Sequence, residues 1–119
     1  MARFRLSRLA SADLSGILAG SDDRWGPEIR RRYAALIAMA MRQVASDPEG
    51  PTTRDRSEIR RGVRSFHVRH TRLADLEPKV KRAVHIIFYR AIRPGSVEIV
   101  RVLHERMEPS RHISESSDT

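Results

Sequence analysis

The stretch His85–Ile113, HIIFYRAIRPGSVEIVRVLHERMEPSRHI, decides how this chain folds. Val84 to Ile92 and Val97 to Leu103 are both rich in β-branched and aromatic residues, which suits two strands. Between them, Arg93-Pro94-Gly95-Ser96 spells a tight turn. Pro94 presets φ at the first turn position, and Gly95 accepts the positive φ that a type II turn needs next. Val84–Ile92 is apolar on both strand parities, so it is expected at the centre of a sheet. Beyond the second strand, Glu108–Ile113 reads as one last helical turn, and Ser114–Thr119 is expected to be disordered.

Upstream, Gly62–Arg69 (GVRSFHVR) alternates around Val63, Phe66 and Val68 and predicts a strand with one apolar side. Thr71–Arg82 is polar, contains Pro78, and reads as a loop or short turn inserted between two strands. Thr52–Arg61 is charged and is expected to be irregular. Ile29, Tyr33, Leu36, Ile37, Ala40 and Val44 recur at helical spacing, and Asp47-Pro48-Glu49-Gly50-Pro51 ends that helix. Within it, Tyr33–Met41 (YAALIAMAM) is apolar nearly all round. Either an earlier helix and the sheet cover different faces of it, or an additional apolar partner does.

That earlier helix runs from about Ala10 to Arg24, with Ala10, Leu14, Ile17, Leu18 and Trp25 on one stripe and Ser7 or Ser11 as its cap. Gly16 and Gly20 each weaken it by up to ~1 kcal/mol relative to alanine. Gly26-Pro27 breaks the chain, and Pro27 suits a first helical position. So short a connection makes an antiparallel helical hairpin, with Trp25 in the core. Residues 3–7 alternate and predict a first strand. The resulting order is β-α-α-β-β-β. It describes an α+β domain over residues 1–113: an antiparallel sheet of about four strands backed by an N-terminal helical hairpin.

The chain has 119 residues, a net charge of +8 and no cysteine. That length allows one domain with a modest core. The missing thiols exclude disulfide and zinc–thiolate chemistry. No apolar run approaches the ~20 residues of a membrane span, and no signal-peptide pattern opens the chain, so a cytoplasmic protein without membrane association is expected. All basic residues except Lys79 and Lys81 are arginine. Such an excess favours an anionic partner, either nucleic acid or an acidic protein segment. The run Arg30-Arg31-Arg32 reads as a solvated face that an acidic partner could also meet.

The wording of the opening stretch goes beyond a generic hairpin. IFYR (Ile87–Arg90) and EIVRVLHERM (Glu98–Met107) resemble the C-terminal hairpin of the ParE branch of the RelE/ParE toxin superfamily, the toxin half of bacterial toxin–antitoxin pairs. Arg90, Arg101, His104 and Arg106 carry the likeness. FRLSRLASADL (Phe4–Leu14), Arg24-Trp25-Gly26 and Ile59–Phe66 (IRRGVRSF) resemble other family segments, in the right order. The Thr71–Arg82 insert departs from the pattern. The resemblance implies a ParE-like inhibitor of DNA gyrase, neutralised by a ParD-like antitoxin in a hetero-oligomeric complex, with no cofactor and no small-molecule substrate. Arg90, Arg101, His104, Arg106 and Arg111 are then the expected contacts with target or partner.

Two alternatives follow from the same likeness. A RelE-like ribosome-dependent mRNA endonuclease would need groups to activate the 2′-hydroxyl, stabilise the phosphorane and protonate the leaving oxygen. Arg64, His67, Arg90, His104 and Arg106 are the candidates for such a set. The other alternative is a non-toxic partner or co-repressor. Each candidate also has a plain structural reading. Arg90 and Arg101 could pair with Glu98 or Glu105, and His67, His70 and His85 could be satisfied or exposed histidines. No carboxylate or histidine spacing supports a metal site.

Overall fold

In the computed structural model, residues 2–72 and 83–113 are described, with the backbone alone for residues 21–25. The expected tail at 114–119, most of the Thr71–Arg82 insert and the side chain of Trp25 lie outside that description.

Strand β1 (Arg3–Leu6) leads into a helical stretch, Arg8–Ser46. Ser7 is its cap: the hydroxyl oxygen accepts the Ala10 N–H at 2.9 Å and donates to the Val100 carbonyl at 2.8 Å. One side chain thus starts the helix and ties it to the sheet. Gly26, at φ 86° and ψ 170°, breaks the stretch into α1 (8–25) and α2 (27–46). That conformation is essentially reserved for glycine. A straight helix of 39 residues would be about 58 Å long, yet the longest dimension of the molecule is 37 Å, so α2 folds back at Gly26. An added Cβ at Gly26 meets nothing within 4 Å. The cost of Gly26→Ala is therefore backbone strain alone, about 1–3 kcal/mol. It is expected as a lower urea midpoint with an unchanged m-value.

Helix α2 buries Tyr33, Leu36, Ile37, Ala40, Met41, Val44 and Ala45. Of the run Tyr33–Met41, only Ala35 is exposed. The fold itself covers this helix, so its all-round apolarity calls for no further partner. Asp47 ends it, its N–H bonding the Gln43 carbonyl at 3.0 Å.

The sheet has five strands in the order β1-β5-β4-β3-β2, with β2 at Thr53–Asp55, β3 at Val63–His67, β4 at His85–Arg93 and β5 at Ser96–His104. The hairpin and its central strand stand where expected, and Gly95 has φ 79°. The expected antiparallel sheet of about four strands is instead a mixed sheet of five, and two features make the difference. Residues 53–55, within a segment expected to be irregular, form an edge strand opposite Arg64–Phe66. Strand β1 joins in parallel, Arg3 opposite Ser96 and Leu6 opposite Ile99. Local pattern carries neither fact, because a three-residue edge strand exists only through its partner and strand direction is set by the distant connection.

The sheet is buried on both faces. Phe66, Ile87, Tyr89, Val97, Ile99 and Val102 join the helices in the main core. Val63, Phe88, Val100, Leu103 and Ile113 form a second cluster on the opposite face, backed by Ile59 and Ile86. Strand β3 therefore has two apolar sides, not one. Phe66 points to the helices and Val63 away, as residues an odd number apart on a strand must. Between Phe88 and Tyr89 the register shifts, and Val100 is the extra residue on β5, a bulge that directly precedes Arg101.

Candidate functional site

The C-terminal segment is a compact knob fastened to the end of β5. The Met107 N–H bonds the His104 carbonyl at 2.9 Å, and the Arg106 N–H bonds His104 Nδ1 at 3.0 Å. Glu108 then caps a 3₁₀ turn, Pro109–Arg111, accepting from the Ser110 N–H and hydroxyl. The Ile113 N–H returns to the Pro109 carbonyl at 2.9 Å. Ile113 itself is 2% exposed, plugged into the second cluster. Arg106 and Arg111 are exposed, and neither forms an ion pair among the described residues. Between them stands Met107, 47% exposed, the one large hydrophobic residue presented to solvent among those described. Two uncommitted guanidinium groups beside a polarisable thioether suit a protein surface carrying carboxylates or phosphates.

Arg90 and Arg101 have internal commitments instead. Arg90 Nε donates to Glu98 Oε1 at 2.8 Å, and Arg5 approaches the other Glu98 oxygen at 3.5 Å. Glu98 is only 4% exposed, and the two arginines offset the cost of holding its charge out of water. This is one of the pairings that the plain structural reading allowed. Arg101 meets neither Glu98 nor Glu105 but Asp13 of α1, in a two-pronged pair at 2.8 Å and 2.8 Å. That pair raises the Arg101 pKa above its ordinary value. In the run at 30–32, Arg31 and Arg32 both pair with Glu28.

Three histidines gather at the same end of the strands as the knob. His85 lies opposite His104 in the β4–β5 register, the ring centroids 5.6 Å apart. Tyr33 takes the Val84 N–H on its oxygen at 3.3 Å and donates to His85 Nδ1, 2.6 Å away. Burial raises the Tyr33 pKa. His67 Nδ1 accepts the Arg69 N–H, so Nε2 carries the proton that meets Glu105 at 2.7 Å. His67 and His85 are thus satisfied histidines, as the plain reading had it.

Burial, and then the neighbouring His104, push the His85 pKa from 6.5 down to about 4. Its folded value is below its unfolded one. The stabilisation is therefore complete above about pH 6.5 and is lost as the pH falls toward 4. Partial exposure screens the effect, leaving on the order of 1–2 kcal/mol. The melting temperature is expected to fall between about pH 7 and pH 4.5. His85→Asn, whose amide oxygen can still accept from Tyr33, should flatten that slope.

The residues proposed for a nuclease do not form one site. Arg64 sits opposite Tyr89 and donates to the Pro48 carbonyl at 3.1 Å and to Thr53 Oγ1 at 2.8 Å, while Tyr89 donates to the same carbonyl at 2.5 Å. Burial raises the Tyr89 pKa. His104 lies opposite His85, four residues before Tyr89 on β4, which is about 13 Å. Arg90, next to Tyr89 on the strand, projects from the opposite face.

Two residues were missed by the sequence reading. Tyr33 reads in the sequence only as a core position of the second helix, yet its hydroxyl reaches the sheet. Asp13 falls among Ala10, Leu14 and Ile17 on the apolar stripe of α1. A carboxylate there needs a partner, and that was the available signal.

A family model described as "ParE toxin of type II toxin-antitoxin system, parDE" matches residues 4–109. The chain is 32% identical over 111 residues to Toxin ParE1 of Mycobacterium tuberculosis strain H37Rv, covering 93% of this chain and 97% of that protein. It is 33% identical over 114 residues to Toxin ParE1 of Caulobacter vibrioides, covering 95% and 99%. Among solved structures, "Chromosomal ParDE TA system from P. aeruginosa" superposes with a TM-score of 0.57 at 18% identity, over 87% of this chain and 96% of that one, a likeness of fold.

Proposed function

This chain belongs to the ParE toxin family of type II toxin–antitoxin systems, and from that premise we propose that it arrests growth by inhibiting DNA gyrase through the knob at 104–111. The observation that carries the reading is the exposed triplet Arg106, Met107 and Arg111 on a buried anchor, Ile113. A scaffold has no need of two arginines that form no ion pair among the described residues, set around an exposed methionine. His104 backs them, its Nδ1 orienting the Arg106 backbone. Arg90 and Arg101 act behind this surface.

The neutralising partner is a ParD-like antitoxin with an acidic, amphipathic segment that orders on binding, in a hetero-oligomeric complex. The net charge of +8 supports it. Surplus apolar surface on α2 does not, because the fold covers that helix. No helix among the described residues is long and apolar enough to cross a membrane, and the proposed place of action is the cytoplasm, where gyrase works.

The test runs purified toxin in a gyrase supercoiling and cleavage assay beside a ribosome-dependent mRNA cleavage assay. Inhibited gyrase and intact mRNA are expected, with DNA damage and filamentation in cells and no rapid loss of translation. Immediate arrest of protein synthesis with cleaved mRNA would overturn the proposal in favour of an endonuclease.

A further inference from the structure

We infer that Asp13 is a positioning residue for the target-contacting knob and acts on it through Arg101. The inference rests on the reading that Arg106 and Arg111 meet the target.

The Arg101 guanidinium joins three parts of the molecule. Its Nε and Nη2 each donate to one oxygen of Asp13, both at 2.8 Å, and its Nη1 donates to the His112 carbonyl at 2.9 Å. Asp13 Oδ2 also accepts the Val102 N–H at 3.0 Å. Val102 lies on β5 past Ile99, where the pairing with β1 ends, so this carboxylate takes the place of a strand partner. The two side chains are 15% and 14% exposed, and the pair is largely withdrawn from water.

The geometry makes the link directional. A guanidinium is planar, and its donors keep fixed angles to one another. Two bonds to one carboxylate fix that plane in space. The third bond then fixes where the His112 carbonyl can lie. His112 stands between Arg111, which is exposed, and Ile113, which is buried. The position of Asp13 on α1 therefore sets the seat of the turn that presents Arg111. Arg101 belongs to this clamp rather than to the contact surface. A lysine at the same position has one compact ammonium and cannot hold a two-pronged pair while reaching the carbonyl.

Arg101→Lys in the full chain is the primary test, because it keeps the charge beside Asp13. Asp13→Asn, which keeps the shape, is the second. Four measurements apply to each: amide exchange at Arg111, His112 and Ile113, melting temperature, gyrase inhibition, and antitoxin affinity. The expected result for Arg101→Lys is exchange at those amides at least tenfold faster, gyrase inhibition at least tenfold weaker, and antitoxin affinity within twofold. A merely structural role would lower the melt and both binding activities together. Unchanged exchange in both variants would overturn the inference, leaving the contact proposal standing. Faster exchange with full gyrase inhibition would also overturn it. Arg106→Ala, assayed in parallel, separates the causes: a fully active Arg106→Ala shows that the proposed contact has failed rather than the clamp.

Discussion

Replacing Arg106 and Arg111 together by alanine is expected to reduce gyrase inhibition by two orders of magnitude or more. Two desolvated arginine contacts at a protein interface are each worth about 2 kcal/mol or above, and 1.4 kcal/mol is a factor of ten. The fold should barely notice. Both side chains are exposed and take no part in an ion pair among the described residues. Such substitutions usually shift stability by less than ~0.5 kcal/mol. The measurement is the half-inhibitory toxin concentration in a supercoiling assay, set against a thermal melt and antitoxin binding. His104 is a less clean target for this purpose. Its Nδ1 supports the Arg106 backbone and its ring lies against His85, so His104→Ala would lose toxicity partly by loosening the turn. A fully active double arginine variant with an unchanged melt would assign both groups to an idle surface.

The second large effect concerns the last described residue. Ile113 is 2% exposed and completes the cluster around Val63, Phe88, Val100 and Leu103. Ile113→Ala removes three buried carbons and is expected to cost about 2–4 kcal/mol, part from lost transfer and part from the cavity left behind. The turn at 109–111 loses its anchor at the same time, so toxicity should fall as well. Ending the chain immediately after Ile113 should leave the stability within about 0.5 kcal/mol of the full chain, because residues 114–119 are all polar in sequence. Urea titration of the two variants decides the matter. A melt for Ile113→Ala equal to that of the full chain would mean that the second cluster closes without it.

Much of this arrangement was legible because the relevant interactions are local. The turn at Pro94-Gly95, the break at Gly26-Pro27 and the apolar face of α2 follow from the backbone preferences of single residues and from 3.6-residue periodicity. The sidedness of β3 was misread because Val63 and Phe66, three apart, cannot share a strand face, and both faces turned out to be covered. The apolar run of α2 left open whether the fold or a further partner covers it, and the chain supplies the cover itself. At the candidate site, the residue types were legible and their partners were not. Arg90 and Arg101 look alike in sequence and share a hairpin. One is held by a glutamate eight positions away, the other by an aspartate 88 positions away on another element. Distance of that kind leaves no local trace.

The pairing of β1 with β5 also bears on when this protein can become harmful. Ser7 reaches Val100 across 93 positions, and β1 has no strand neighbour but β5 among the described residues. A chain emerging from the ribosome therefore carries its first strand unmatched until residues 96–104 have been made. Folds dominated by such distant pairings close late and slowly. The residues that complete the sheet are also the last before the arginine knob. A product of translation interrupted before β5 would lack the strand that closes the fold and the surface proposed to engage the target, both at once. For a cell that makes a toxin of this family, prematurely terminated copies would be inert, and the interval before β5 docks would give a newly made antitoxin time to arrive.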